Sequence, residues 1–193
     1  MSSLNRLSII NGVLANYGQD PVATENNLSG SPKVIDGQLD RLLFLFQEST
    51  YDWSFLKTSV NLSSPDGVNL SSQWRFTFSF PADYLRVLEV HHERSFDIRG
   101  RQIVTDASKL EIDYLRSSND YGSLPYHFQH AFVYFVSVEL CTGVTRQESL
   151  KNLLAKDMAT ALKVAESVEF RLKGGQSTQL NQFPKTGIRR IRI

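Results

Sequence analysis

The sequence predicts an α+β fold, in which a four-helix bundle-like core carries an inserted antiparallel β-sheet and precedes an extended C-terminal tail. Apolar residues recur at helical spacings of three and four towards both ends of the chain, but alternate with polar residues between about 54 and 116. Short connections between the alternating segments favour antiparallel pairing. The 193 residues fit a single domain, 1–175, followed by the tail, 176–193.

Two helices are predicted before the sheet. The first covers about 3–17 and should end at Gly18, because glycine readily takes the left-handed conformation that closes a helix. The second covers about 36–50. The polar stretch before it contains Gly30 and Pro32 and is predicted to be a loop. The apolar face of the second helix consists of Ile35, Leu39, Leu42, Leu43 and Phe46.

The β insertion, about 54–116, contains six predicted strands. In the segment 74–80, aromatic side chains alternate with polar ones, which is typical of a half-buried strand. The turn signal at 63–67 combines serine, proline, aspartate and glycine. The predicted strands are 54–62, 74–80, 85–92, 95–98, 102–105 and 109–115.

A third helix is predicted at about 124–142. It is apolar on nearly every side, as expected of a helix buried in the core. We expect Ser123 to cap its first backbone N–H groups, with Pro125 in the first turn, where a missing N–H costs nothing. Gly143 is expected to end it.

A fourth helix is predicted at about 146–173. Thr145 and Glu148 match the T-x-x-E capping box at its start. Because the connection to the third helix is short, the two should form an antiparallel pair joined along an apolar stripe. That stripe contains Leu150, Leu154, Met158, Ala161, Ala165, Val168 and Leu172.

Charge is distributed unevenly along the chain. Of 21 basic residues, six lie from Arg171 onward, where there is no acidic residue, which leaves 15 basic and 20 acidic residues before them. An acidic body therefore carries a basic tail. The lone Cys141 excludes an internal disulfide and is predicted to be a buried, inert thiol. The polar N-terminus does not resemble a signal peptide, so assembly in the cytoplasm is expected.

No catalytic, cofactor-binding or metal-binding motif is recognised. His127 and His130 could share a helix face as zinc ligands do, but without an H-E-x-x-H pattern a structural or surface role is favoured. Six carboxylates of the insertion are interpreted as part of a solvated sheet face, and a glycosidase-like acid pair is the alternative. They are Asp83, Glu89, Asp97, Asp106, Glu111 and Asp113.

The end of the tail is the predicted partner-binding site. It mixes β-branched and basic side chains, and could form a strand only by pairing with another protein, as in β-augmentation. A nucleic-acid-binding arm is the alternative, with the aromatic strand 74–80 as a base-stacking platform. The predicted binding residues are Ile188, Arg189, Arg190, Ile191, Arg192 and Ile193.

Four features carry a resemblance to a known family. They are V-L-A-N-Y-G-Q-D-P-V at 13–22, Trp53 after the second helix, F-P-A-D-Y-L at 80–85, and Leu124 and Pro125 before the long apolar helix. Together they resemble the head-to-tail adaptor of short-tailed bacteriophages, often called tail tubular protein A. The family patterns are L-A-x-I-G-x-x-P-V and L-P-x-D-Y-L. Here Tyr17 stands in the isoleucine position and Phe80 in the first leucine position.

The resemblance implies a structural virion protein that is not an enzyme and needs no cofactor. It implies a ring, expected to be a dodecamer, in the tail or neck of the virion between the portal protein and the tail nozzle protein. Such a ring lines the channel through which DNA passes during ejection, without sequence-specific binding and without membrane contact. The tail residues would then bind the portal. A nucleic-acid-binding module and a carbohydrate-active enzyme remain as alternatives.

Overall fold

The computed structural model describes residues 6–26, 28–63, 65–68, 73–91 and 95–172. Within these ranges, seven strands lie between two pairs of helices, which confirms the predicted α+β fold. The helices are α1 (Arg6–Asn16), α2 (Gly30–Ser49), α3 (Tyr126–Thr145) and α4 (Glu148–Leu172). The strands are β1 (Lys57–Leu62), β2 (Gly67–Val68), β3 (Phe76–Ser79), β4 (Tyr84–His91), β5 (Phe96–Arg99), β6 (Gln102–Thr105) and β7 (Leu110–Arg116).

The strands form two small antiparallel sheets instead of the single predicted sheet. The first has the order β1-β7-β4 and the second β2-β3-β6-β5. Each sheet has an apolar face that must be covered, and the two faces meet in one hydrophobic cluster. Its buried members are Phe78, Phe80, Ile103, Leu110, Ile112 and Tyr114.

The main core lies among the helices, and α3 contacts α1, α2 and α4. Phe46 of α2 contacts three rings of α3, with centroid distances of 5.0 Å to Phe128, 5.5 Å to Phe132 and 5.1 Å to Phe135. Trp53, just after α2, packs edge-on against Phe128 at 5.0 Å and is fully buried. Much of α3 is therefore buried, as predicted, but one side of the helix is exposed.

The end of α1 agrees with the prediction at Gly18, whose φ is +68°. The N–H of Gly18 donates to the carbonyl of Ala15 at 3.0 Å, and the N–H of Gln19 donates to the carbonyl of Leu14 at 2.9 Å. These two bonds form a Schellman motif, which satisfies the last carbonyl groups of the helix.

The starts of α2 and α3 differ from the prediction. α2 begins at Gly30, because Pro32 lies in the first turn, where the backbone N–H groups have no partner within the helix. Ser123 does not cap α3, since its hydroxyl donates to the carbonyl of Asp120 at 3.0 Å. α3 instead begins at Tyr126, directly after Pro125.

The connection between α3 and α4 also differs from the prediction. Gly143 lies inside α3, which ends at Thr145 and is followed by Arg146 in the left-handed conformation at φ 57°. The hydroxyl of Thr145 accepts the N–H of Gln147 at 3.2 Å, so the predicted capping box with Glu148 does not form. The helix pair is nonetheless antiparallel and closely packed, as predicted.

Candidate functional site

The predicted binding residues Ile188, Arg189, Arg190, Ile191, Arg192 and Ile193 lie outside the described residues. The whole predicted tail, 176–193, lies outside them, because Leu172 is the last described residue. The candidate surfaces of the described body are its exposed apolar side chains and its polar clusters.

One side of α3 exposes a line of rings at helical spacing. The ring of His130 lies 6.1 Å from that of Tyr126 and 5.3 Å from that of Tyr134. Tyr126 is 71% exposed. We call Tyr126, His130 and Tyr134 the α3 ridge. Because residues two apart on a helix point in nearly opposite directions, the ridge faces away from Phe132, which contacts α2.

A groove lies on each side of the α3 ridge. The larger, about 320 Å³, lies between α1 and α3 and is lined by the small residues Gly12 and Ala15 and by Val133. The smaller, about 170 Å³, lies between α3 and α4, where Val164 is 55% exposed. The ridge and its grooves form a largely apolar surface that other described parts of the chain leave open.

A second exposed apolar surface lies on α2. Phe44 is 47% exposed, and we call the side of α2 that carries it the α2 outer face. Phe46, two residues beyond Phe44, contacts Phe132 of α3. Phe44 therefore faces away from α3, and the α2 outer face and the α3 ridge lie on opposite flanks of the α2–α3 pair.

The two histidines considered as zinc ligands have separate environments. His127 turns towards α4, where its Nε2 lies 2.9 Å from Oε1 of Glu169. His130 is exposed in the α3 ridge, between its two tyrosines. Among the described residues, neither belongs to a cluster of potential metal ligands. The contacts of His127 fit the structural role predicted from the sequence.

A polar network joins α1, α2 and the segment before α3. Arg6 bonds Asp36 and Asp40, with 2.6 Å from its Nε to the first carboxylate and 2.6 Å from its Nη1 to the second. The hydroxyl of Tyr121 donates to Asp40 at 2.7 Å. The hydrogen bond from Arg6 is the main cause of a lowered pKa at Asp40. This network connects segments that are distant in the sequence.

The outer face of the β1-β7-β4 sheet carries a second polar cluster. Ser59, Asp113 and Glu89 stand side by side on the three strands. Nε2 of His91 lies 3.0 Å from Oδ2 of Asp113, and its Nδ1 lies 3.9 Å from Oε1 of Glu89. The hydrogen bond to Asp113 raises the pKa of His91. We call Glu89, His91 and Asp113 the sheet cluster.

Three other candidate carboxylates of the insertion have separate partners. Asp83 accepts the hydroxyl of Tyr114 at 3.1 Å. Asp106 accepts the backbone N–H of Arg75 at 3.0 Å, and Asp97 pairs with Arg99 at 3.0 Å. Glu111 lies opposite His91 in the strand pairing of β4 and β7. Of the six candidates, the structure therefore brings Glu89 and Asp113 together within the sheet cluster.

The aromatic strand packs in the core of the insertion. Phe78 and Phe80 are buried, and Phe80 stacks on Tyr84 with ring centroids 4.0 Å apart. The strand has one buried face, as the alternation predicts, but that face packs between the two sheets and not on the helices. Buried rings cannot stack with bases, so the nucleic-acid alternative loses these two members of its proposed platform.

Two polar features escaped the sequence analysis. Glu169 is buried although it is charged. The sequence indicates this burial through its position, four residues after Ala165 and on the same face of α4. The sequence patterns that indicate the sheet cluster are E-x-H at 89–91 and E-x-D at 111–113. Residues two apart in a strand share a face, so each pattern places two polar side chains on one side of the sheet. The pairing of these strands could not be read from the spacing.

Within the described part of the chain, none of the helices combines the length and apolar character needed to cross a membrane. No protein-family model matches this sequence, and comparison with curated proteins found no match.

Proposed function

We propose that this protein is a structural connector of a short-tailed bacteriophage. In this proposal it forms a ring, expected to be a dodecamer, between the portal protein and the tail nozzle protein, and lines the channel for DNA. The proposal starts from the resemblance of residues 13–22 and 80–85 to the adaptor family. The observation that carries it is the pair of exposed apolar surfaces on opposite flanks of the helical core.

A closed ring requires two different surfaces on each subunit, one to contact each neighbour. The α2 outer face and the α3 ridge have the required arrangement, because they face away from each other across the α2–α3 pair. Exposed apolar surfaces on a folded domain commonly mark interaction sites. We infer that the α2 outer face of one subunit packs against the α3 ridge and its grooves on the next.

The free protein is expected to be monomeric and to form the ring on its partner. The predicted binding segment, 188–193, would add a strand to an edge of the portal, and several tails acting together would strengthen the joint. The role proposed is structural and involves no chemistry on a substrate.

Sedimentation and electron microscopy of the protein, alone and with the portal protein of the same phage, test the proposal. A ring of identical subunits on the portal is the expected result. Portal mixtures with no co-sedimenting ring would contradict the connector function.

Single substitutions test the two surfaces separately. Phe44→Ser on the α2 outer face and Tyr126→Ser on the α3 ridge should each prevent ring closure. Phe170→Ser is the matched control, because Phe170 is also exposed but belongs to neither surface. If both surface variants form rings normally, the proposed contact between the α2 outer face and the α3 ridge is wrong. The connector function itself is tested separately, by the portal-binding experiment.

A further inference from the structure

We propose that Glu89, His91 and Asp113, the sheet cluster, form a binding site for a divalent transition-metal ion, with Zn²⁺ as the best fit. The proposal does not depend on the connector function. It rests on three potential ligands that converge on the rigid β1-β7-β4 sheet.

The spacing of the ligand atoms suits a single ion. One nitrogen of His91 and one oxygen of each carboxylate lie within 4.8 Å of one another. Zinc binds such atoms at about 2.0–2.2 Å, which places neighbouring ligands of a tetrahedral ion about 3–4 Å apart. Nε2 of His91 lies 3.0 Å from Oδ2 of Asp113, within this range, whereas Glu89 approaches the other ring nitrogen, Nδ1, at 3.9 Å. Because one ion binds only one ring nitrogen, the exposed side chain of Glu89 would turn towards Nε2 to complete the site.

The backbone holds the three residues in place. Glu89 and His91 are two residues apart on β4 and share a face, and Asp113 stands opposite Glu89 on the central strand β7. Ser59 on β1 donates its hydroxyl to Oδ1 of Asp113 at 2.6 Å. This bond orients the carboxylate so that Oδ2 points to His91, as outer hydrogen bonds orient ligands in metal sites. A paired three-strand platform is a rigid support for such a site.

The donor set selects the class of ion. An imidazole with two carboxylates suits zinc and its transition-metal neighbours, whereas calcium and magnesium prefer oxygen donors alone. The side chain of Glu89 is 67% exposed and that of Asp113 is 34% exposed, so the ion has access from solvent. Water would fill the remaining position of a four-coordinate ion. The nearby Glu111 adds negative charge to the site, which favours a cation, whereas the nearby Lys57 adds positive charge, which disfavours one.

Calorimetric titration of the chelator-treated full chain with ZnCl₂ tests the proposal. We expect one saturable site whose affinity falls by roughly tenfold or more in His91→Ala and in Asp113→Asn. Ser59→Ala should weaken binding less, because it removes an orienting bond and not a ligand. His130→Ala is the matched control, since His130 is exposed on α3 and belongs to no described ligand cluster.

Thermal unfolding gives a second readout. Zinc that binds the folded chain should raise the melting temperature of the parent and of His130→Ala, but not of His91→Ala. Melting without metal shows whether each variant is folded, and Asp113→Asn keeps the side-chain shape if His91→Ala is unstable. No zinc binding by the parent, or equal affinity in the parent, His91→Ala and Asp113→Asn, would overturn the proposal.

Discussion

Glu169 near the end of α4 and His127 at the start of α3 form a buried pair, with 2.9 Å between Oε1 and Nε2. Glu169 is 1% exposed, and its second oxygen accepts the backbone N–H of Ser54 at 3.0 Å. One carboxylate therefore joins both helices of the hairpin to the turn that begins the β insertion. A buried charge is tolerated only when it is paired and hydrogen-bonded, and these contacts meet that condition.

Replacing Glu169 should strongly destabilise the protein. Glu169→Ala leaves His127 and the N–H of Ser54 without their acceptor, and we expect a loss of about 3–5 kcal/mol in the free energy of unfolding. Glu169→Gln should lose less, because its amide retains an acceptor oxygen. Urea unfolding measures both. Glu166→Ala, exposed on the same helix, is the control and should change stability by no more than about 0.5 kcal/mol. Equal effects at 169 and 166 would contradict a structural role for the pair.

The same carboxylate should make stability depend on pH. Burial by itself raises the pKa of Glu169, but the hydrogen bonds from Ser54 and His127 together bring it below the ordinary value of 4.5. The folded-state pKa is then below the unfolded-state pKa, so the stabilisation is present above about pH 4.5 and is lost as the pH falls through the folded value.

Urea unfolding at a series of pH values from neutral to acid measures this loss. Glu169→Gln should lose less stability on acidification than the parent, because it has no carboxylate to protonate at this position. Asp40 and Asp113 also have a lowered pKa and contribute to both proteins, so the difference between the two curves isolates Glu169. Parallel curves would contradict the prediction.

The helices could be predicted from the sequence because their apolar residues recur with the helical period. Their ends depend on single side chains, which explains the errors at Pro32 and Gly143. Glu169 shares the buried face of Ala161 and Ala165, so its burial had a local signal. Its partner His127 is 42 residues away, and no local pattern predicts that contact.

The strands could likewise be predicted from alternation, but their pairing could not. β7 lies between β1 and β4, although both precede it in the sequence by at least one other strand. Alternation places Glu89 and Asp113 on a sheet face, but only the register of β4 and β7 puts them opposite each other. The division into two sheets escaped prediction for the same reason.

Arg6→Lys should weaken the attachment of α1 to α2. The planar guanidinium bonds Asp36 and Asp40 through separate nitrogens, and the single ammonium of lysine cannot reproduce that geometry. Because these side chains are partly exposed, we expect a loss of about 1 kcal/mol, and a smaller one at high salt. Urea unfolding at two salt concentrations measures it. Arg41→Lys is the control, since Arg41 bonds Gln38 of its own helix. A loss independent of salt and equal in both variants would count against the network.

Phe132→Ala should create a cavity at the centre of the bundle. Phe132 is fully buried against Phe46, and removing such a ring costs about 3–5 kcal/mol in the free energy of unfolding. Phe135→Ala should cost less, because Phe135 is only partly buried. Thermal and urea unfolding measure both, with the exposed Phe170→Ala as control. If Phe132→Ala unfolds like the control, the helical hairpin is misplaced.

Deleting residues 187–193 should separate folding from attachment. Every described helix and strand lies within 6–172, so the melting temperature of the truncated protein should remain close to that of the parent. Binding to the portal should be lost, because the deletion removes the segment proposed to add a strand to the portal edge. Calorimetric melting and co-sedimentation with the portal measure the two effects.

The energy of a single tail explains why the ring matters for this prediction. In an extended segment, Ile191 and Ile193 share one side, and burying both contributes about 3–6 kcal/mol. Ordering the tail costs about 1–2 kcal/mol per residue, so over six residues this cost at least offsets that gain, and one tail alone binds weakly. Several tails on one ring would act together and give a stable joint.

A double variant with Ile191→Ser and Ile193→Ser should therefore fail to attach to the portal, whereas Lys185→Ser should attach normally. If the truncated protein still binds the portal, the tail is not the attachment segment. If it loses only salt-sensitive DNA binding, the nucleic-acid-binding alternative replaces the connector proposal.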